Sequence, residues 1–374
     1  MKDGRKFARK GILELAPYIP GKPIEEVQRQ YGLKDVVKLA SNENPLKTSA
    51  KAIEAMRNEL ENCYMYPEGS SPELRAKLAE KLGINEQQII VANGGDHVLG
   101  LICHAFINEG DEVIVGNPSF NTYYLNVPIM GGVLKKIPLN NYMLDLDAIL
   151  AAITPKTKII FFCNPNNPTG TIVGKAKVAE FMSKVPDSCI VVFDEAYAEF
   201  IDDPDYPNGI DYVRKEDNAI VLRTFSKIYG LAGNRIGYAI GPNHLIDVLG
   251  RVVPAFPVNR VAQAAAEAAL ADEEFIALGQ KNNQLGRAYL CAEFAKMGME
   301  YAPSYGNFIF VNVNMPVAEV NESLLRQGII VRPGNQWGFN THIRVSIGTM
   351  AENKRFIVVL KGIALNFQAK NQHR

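Results

Sequence analysis

Ala219-Ile220-Val221-Leu222-Arg223-Thr224-Phe225-Ser226-Lys227, followed eight residues later by Arg235 in Gly233-Asn234-Arg235-Ile236-Gly237, is the stretch from which the fold of this chain is read. Four consecutive apolar residues, two of them β-branched, mark a buried strand. The strand hands over a turn with two hydroxyls, then an amine, then a second cation. Lysine forms Schiff bases with carbonyls, while hydroxyls and a guanidinium bind phosphate oxygens. The segment is therefore equipped to hold an imine-forming molecule with a phosphate tail. A solvated Ser-Lys turn would use the same letters, so the surrounding chain has to decide.

Outward from this strand, short apolar runs alternate with helical patterns from about residue 75 to 245. Candidate strands are 89–92, 112–116, 158–163, 188–193, 219–223 and 235–240. Most are β-branched and almost continuously apolar, as buried parallel strands are. Segments 72–82 and 95–107 carry helical spacing, and Val98, Leu99, Ile102, Cys103, Phe106 and Ile107 form one core-facing stripe in the second. The fold class is α/β with a mostly parallel central sheet in a large domain, residues 41–255. Pro254-Ala255-Phe256-Pro257 breaks the chain before an Ala-rich helical region, 261–271. From residue 256 to 374 the rhythm changes to a helix, strands at 308–313, 329–331 and 343–347, and a last helix from residue 353, a smaller α+β domain. Residues 1–40, with Pro17, Pro20, Gly21 and Pro23, read as an extended arm packing with that small domain.

Composition narrows the function. At 374 residues the chain exceeds a usual single domain and can bury a large core. Forty basic residues balance forty acidic ones with no block of like charge, which argues against a nucleic-acid or acidic-membrane binder and for a small-molecule partner. The five cysteines, Cys63, Cys103, Cys163, Cys189 and Cys291, are scattered without a CxxC pair, as suits reduced thiols in the cytoplasm. No secretory signal and no run of membrane-spanning length is seen. The histidines show no paired ligand spacing, so no catalytic metal is expected. Neither GxGxxG nor P-loop spacing occurs, which disfavours a nicotinamide dehydrogenase.

Four loops at strand ends complement Lys227, since ligands of open parallel sheets bind at the carboxyl ends of strands. Asn93-Gly94-Gly95-Asp96 opens a helix, where Gly95 and Asp96 offer free N–H groups to a phosphate; Asp96 would also serve as a simple cap. Asn164-Pro165-Asn166-Asn167-Pro168-Thr169-Gly170 is stiffened by two prolines and leaves Asn167 as a positioned donor. Asp194-Glu195-Ala196-Tyr197 puts a carboxylate at the end of a buried strand, where a protonated pyridine nitrogen would pair with it, unless Asp194 merely faces water. Tyr197 is placed to hydrogen-bond a phenolate oxygen. In Asn117-Pro118-Ser119-Phe120-Asn121-Thr122-Tyr123, Phe120 is available to stack on an aromatic ring or to join the core. Far downstream, Arg344 interrupts an apolar strand, and an arginine there wants an anion.

The order Asn167, Asp194, Tyr197, Lys227, Arg235, Arg344, with 27 residues between the first two and 33 between Asp194 and Lys227, resembles the fold-type I pyridoxal-phosphate-dependent aminotransferases. Within them the likeness is strongest to the histidinol-phosphate branch. It is carried by segments 15–23, 38–45, 66–70, 163–170 and 223–227 and extends over nearly the whole chain. The resemblance implies pyridoxal 5'-phosphate as cofactor, with Lys227 as its covalent anchor and proton carrier. Asp194 would face the ring nitrogen, Asn167 and Tyr197 the ring hydroxyl, and Gly95, Asp96, Thr224, Ser226 and Arg235 the phosphate. Tyr66 matches a tyrosine that reaches the phosphate from a neighbouring subunit, so a homodimer is implied. Tyr18, Arg332 and Arg344 match substrate contacts. The implied reaction moves an amino group between histidinol phosphate and 2-oxoglutarate, giving glutamate, in histidine biosynthesis. Aromatic amino acid aminotransferases and threonine-phosphate decarboxylases share such a cofactor site and stay open as alternatives. A ligand-sensing regulator would need a DNA-binding module that the proline-broken arm does not supply. Two positions depart from the family: His97, read as a solvent-facing helix residue, and Met65, where an arginine is common.

Overall fold

The structure, a computed structural model, describes residues 4–9, 11–15, 17 and 21–372. β1 (Val37–Lys38) precedes a seven-stranded sheet made of β2 (Ile89–Ala92), β3 (Glu112–Asn117), β4 (Val133–Pro138), β5 (Thr157–Cys163), β6 (Ile190–Asp194), β7 (Ala219–Thr224) and β8 (Gly237–Ile240). Four shorter strands follow, β9 (Phe308–Asn312), β10 (Ile329–Ile330), β11 (Arg332–Pro333) and β12 (His342–Ser346).

Strand order in the large sheet is β2-β8-β7-β6-β5-β3-β4. Only β8 runs against the others: it pairs antiparallel with β2 and β7, while the remaining pairings are parallel. The carboxyl ends of β2, β3, β5, β6 and β7 therefore share one edge with the start of β8. Register makes this concrete: Ala92 and Thr224 both face Gly237, and Cys163 faces Asp194. The apolar runs alternate between the two faces. Ile160, Phe162, Val191 and Phe193 enter one core, and Ile159, Phe161, Ile190 and Val192 the other, where the helix Gly95–Phe106 contributes Val98, Leu99, Ile102 and Cys103. Each such buried side chain contributes roughly 1.5–3 kcal/mol of transfer free energy. Two covered faces explain why these strands read as continuous apolar runs.

β9, β11 and β12 form a small antiparallel sheet in the order β11-β12-β9, packed with the helices Glu273–Lys296 and Met350–Gln372 through Leu290, Phe294, Ile309, Val311, Ile343, Val345, Phe356 and Leu360. β1 pairs parallel with β10, and Val27 and Ala40 pack with Leu325 and Ile330. The arm is not extended throughout. A helix, Ile24–Tyr31, starts after Pro23 and stops at Gly32, whose φ is +68°. Proline is tolerated at a helix start, so the prolines that suggested extension in fact delimit a helix. β4 also escaped notice, because it is an edge strand with Val133 exposed and Lys135 and Lys136 in its middle, a composition that blunts edges. The helix Arg260–Leu270, beyond the expected boundary at residue 256, packs Ala262, Ala265, Ala266 and Ala269 into the same core as Ala52, Leu74 and Leu78 of the large unit. Its small side chains permit that close approach. Among the described residues no helix is long and apolar enough to cross a membrane.

Candidate active site

A cavity of about 400 Å³ opens at the shared edge of the large sheet. Its walls include Gly95, Asp96, Phe120, Asn167, Asp194, Tyr197, Thr224, Ser226, Lys227, Arg235, Arg332 and Arg344. Gly95 and Asp96 start a helix and the other ten come from loops or strands of the sheet edge or from β11 and β12, so the fold itself brings distant sequence positions together. Lys227 follows β7 and projects its Nζ to within 3.2 Å of the Ser41 carbonyl oxygen, and 5.6 Å above the Tyr197 ring. Burial, seconded by the nearby Arg344 cation, lowers its pKa from the usual lysine value to about 8. A useful fraction of the amine is thus free base near neutral pH, as a nucleophile requires.

Asp194 ends β6 and is 3% exposed. Burial raises its carboxyl to about 6, although Tyr123 donates a 2.5 Å hydrogen bond to Oδ2 and the Ala196 N–H donates to Oδ1 at 3.2 Å. A buried carboxylate of this kind wants a cationic partner on its open side. Tyr197 accepts a hydrogen bond from Asn42 Nδ2 at 3.0 Å and so keeps its own proton to donate; burial holds its pKa far above the usual tyrosine value. Asn167 Oδ1 accepts from Arg344 Nη1 at 2.5 Å, which leaves the Asn167 amide NH2 as the group to offer a ligand oxygen.

The anion end lies between the start of the helix Gly95–Phe106 and the turn after β7. Thr224 Oγ1 donates to Ser226 Oγ at 3.0 Å and accepts the Ser226 N–H, folding both hydroxyls into one patch. Arg235 adopts a left-handed backbone, φ +54°, and lays its guanidinium against Gly94, where a Cβ would stand 2.8 Å from Nη2. Its Nη2 lies 3.4 Å from Asp96 Oδ2. A strained arginine aimed at a helix start with free N–H groups is an anion cradle. In the small sheet, Arg332 of β11 stands directly across from Arg344 of β12. Two guanidinium groups brought together on one sheet can serve as a receptor for an anion. The Arg344 guanidinium is covered by Phe308 at 5.4 Å and Trp337 at 5.5 Å. The cavity thus gathers Arg235 beside a helix start, Arg332 and Arg344 from the small sheet, and an amine and a carboxylate on the same walls.

A family model described as aminotransferase class I and II matches residues 34–360. The chain belongs to the class I and II aminotransferases. Histidinol-phosphate aminotransferase of Moorella thermoacetica is 47% identical over 95% of this chain and 92% of its own length. That of Caldicellulosiruptor saccharolyticus is likewise 47% identical, over 95% and 99%. Among solved structures, histidinol-phosphate aminotransferase from Sinorhizobium meliloti in complex with pyridoxal-5'-phosphate superposes with a TM-score of 0.88 at 26% identity, covering 96% of this chain and 98% of that one. Aspartate aminotransferase from Thermus thermophilus with maleate gives 0.78 at 26% identity, over 91% and 97%.

In this aminotransferase most of the residues singled out from sequence share one cavity, with two exceptions. Tyr66 does not line it; the ring is 78% exposed and stacks on Phe256 at 4.5 Å. Tyr18 lies outside the described residues. His97 is half-buried rather than solvent-facing, because its Nδ1 accepts the Asn93 N–H at 3.1 Å and so helps cap the turn. Met65 lies beside Tyr66 in a shallow groove with Asn259 and Arg260. Two contributors were not assigned from sequence. Asn42, left-handed at φ +56°, joins Tyr197 to Ser346 across the two units, and its place within the quoted segment 38–45 was the available signal. Tyr123, three residues beyond Phe120, carried no signal beyond its loop.

Proposed function

We propose that this aminotransferase moves the amino group between L-histidinol phosphate and 2-oxoglutarate, giving imidazole-acetol phosphate and L-glutamate, with pyridoxal 5'-phosphate as cofactor. The observation that carries the reading is the set of charges lining one cavity: an anion cradle at Arg235, a free-base lysine, a buried carboxylate and the cationic pair Arg332 and Arg344. Near-full-length identity of 47% to histidinol-phosphate aminotransferases supports the substrate.

The donor set fits the cofactor. Gly95, Asp96, Thr224, Ser226 and Arg235 would hold its phosphate, Asp194 its ring nitrogen, Asn167 and Tyr197 its ring hydroxyl, and Phe120 would lie on the ring. When bound, pyridoxal phosphate supplies an electrophilic carbonyl and a protonated ring that withdraws electrons from the substrate's α-carbon. Lys227 Nζ would bind that carbonyl and, once displaced by the substrate amine, would take the proton from the α-carbon and deliver it to the cofactor's former carbonyl carbon, the 1,3-proton shift that moves the amino group. Asp194 would keep the ring nitrogen's proton in place. Arg344 and Arg332 would receive the carboxylate of glutamate and the phosphate of histidinol phosphate in turn, with Tyr18 a further proposed contact. The proposed setting is a cytoplasmic homodimer in histidine biosynthesis, in which Tyr66 reaches the neighbouring subunit's phosphate. Its proposed division is an arm to residue 40, a cofactor-binding unit and a small C-terminal unit.

The test loads the protein with pyridoxal phosphate, follows the visible absorbance band that a lysine-bound cofactor would give, and adds single donors. Histidinol phosphate and glutamate are expected to bleach the band, and borohydride to fix the cofactor to Lys227. A stronger response to phenylalanine than to histidinol phosphate would overturn the substrate, and absence of the band would overturn the cofactor.

A further inference from the structure

Tyr123 is fully buried and does not line the cavity, yet it makes the one side-chain hydrogen bond to Asp194 among the described residues, 2.5 Å from Oη to Oδ2. The phenol has little freedom to leave. Its ring lies flat on Phe161 of β5, with centroids 4.5 Å apart and planes 7° apart, and meets Phe120 edge-on at 5.8 Å. The same ring thus touches the residue proposed to cover the cofactor and the residue proposed to face its nitrogen.

We propose that Tyr123 is a positioning residue for Asp194, holding the carboxylate ionised and turned toward the cavity so that it presents a full negative charge to a protonated ring nitrogen. This rests on the pyridoxal phosphate reading. The choice of a phenol has a physical reason. A buried carboxylate needs a donor to stay ionised, and a lysine or arginine there would cancel its charge; a neutral donor keeps it. Burial drives the Tyr123 phenol well above its usual pKa, so it always has a proton to give. The other groups facing Asp194 do not replace it. Cys163, its register partner on β5, is a thiol kept neutral by burial; Asp96 from the helix Gly95–Phe106 opposes ionisation; Lys227 favours it more weakly than Tyr123. Tyr197, also buried, keeps its proton and hydrogen-bonds Asn42 instead.

Tyr123→Phe removes one oxygen and leaves the stacked ring. Wild-type and variant proteins are loaded with pyridoxal phosphate carrying ¹⁵N in the ring, and the nitrogen shift is read by NMR. The wild-type value should be that of a protonated nitrogen, and the variant's should move toward the unprotonated value. In turnover, kcat should fall about 10–100-fold, the scale of one hydrogen bond to a charged group, with KM for glutamate within about threefold. The second readout is the apoprotein's thermal midpoint against pH. Asp194 is raised above its unfolded value, so its contribution to stability is full in acid and lost as pH rises through about 6. Without the phenol that loss should continue to higher pH, and in an Asp194→Asn background Tyr123→Phe should no longer move it. Placing 3-fluorotyrosine at position 123 alone, a stronger donor of nearly the same shape, should leave the nitrogen protonated and end the apoprotein's loss at lower pH. An unchanged nitrogen shift and an unchanged apoprotein curve would overturn the proposal. If the wild-type protein takes up no cofactor, the pyridoxal phosphate reading fails, and the apoprotein curve still tests the Tyr123–Asp194 pair.

Discussion

Lys227 Nζ is buried and feels two cations, Arg344 and Arg235, and two carboxylates, Asp96 and Glu43. Burial and Arg344 dominate and depress its pKa to about 8. About one amine in ten is then free base at pH 7 and about nine in ten at pH 9. Cofactor capture by apoprotein, followed by stopped-flow absorbance, should therefore quicken roughly tenfold from pH 7 to pH 9 and level off. Arg344→Met removes the second-largest cause and should push that curve to higher pH; a curve that stays put would exclude Arg344 as a tuner. The linkage sign agrees: between about 8 and the unfolded lysine value the unfolded chain holds more protons, so apoprotein stability from this group rises with pH. At this scale the sequence was informative wherever a residue's chemistry was unusual for its place. Lys227, Asp194 and Arg344 are charged residues at or near buried strands, and that conflict made them readable. Tyr123 and Asn42 escaped because a buried tyrosine or asparagine is ordinary until its partner is known, and the partners lie 71 and 155 residues away.

The helix Gly95–Phe106 is positioned by two glycines whose lack of a side chain is required for different reasons. Gly94 has φ +88° and lies against Arg235, while a Cβ on Gly237 would stand 2.9 Å from the Gly95 nitrogen. Strand β8 is therefore packed directly against the proposed phosphate loop. Gly94→Ala would strain the backbone by about 1–3 kcal/mol and displace the guanidinium. The expected outcome is a folded protein whose affinity for pyridoxal phosphate, read by equilibrium titration, falls at least about tenfold, because the loop and its cation shift together. Retained affinity would mean that Arg235 is not part of the cradle. Elements of the large sheet were legible because burial on both faces writes continuous apolar runs such as Ile190–Asp194. The exposed edge strand Val133–Pro138 buries little, so its sequence carries little pattern, and the helix Ile24–Tyr31, though amphipathic, is only 8 residues long and follows a run of prolines. The helix Arg260–Leu270 was seen, but its packing was not: alanines announce a helix without saying which neighbour they approach.

On the scale of the whole molecule, one surface is left unexplained by a single chain. Leu60, Tyr64, Met65, Tyr66 and Phe256 are exposed, and Tyr66 stacks on Phe256 away from its own cavity. The segment is pinned there, since Arg260 bonds both Glu59 Oε1, at 2.5 Å, and the Tyr66 carbonyl oxygen, at 3.3 Å. Clustered exposed aromatic and aliphatic side chains mark an association surface. A closed two-fold dimer would cover each copy's patch with the other's and carry each Tyr66 to the neighbouring cradle. Subunit mixing tests this. A Tyr66→Phe protein should stay dimeric and bind pyridoxal phosphate about tenfold more weakly, the scale of one hydrogen bond to a charged group. A Lys227→Ala protein has no anchoring amine but supplies an intact Tyr66. After mixing and exchange, mixed dimers contain one site with Lys227 from the first chain and Tyr66 from the second, so tight binding should return at that site alone. If Tyr66 acted within its own chain, or if the protein sedimented as a monomer, mixing would restore nothing.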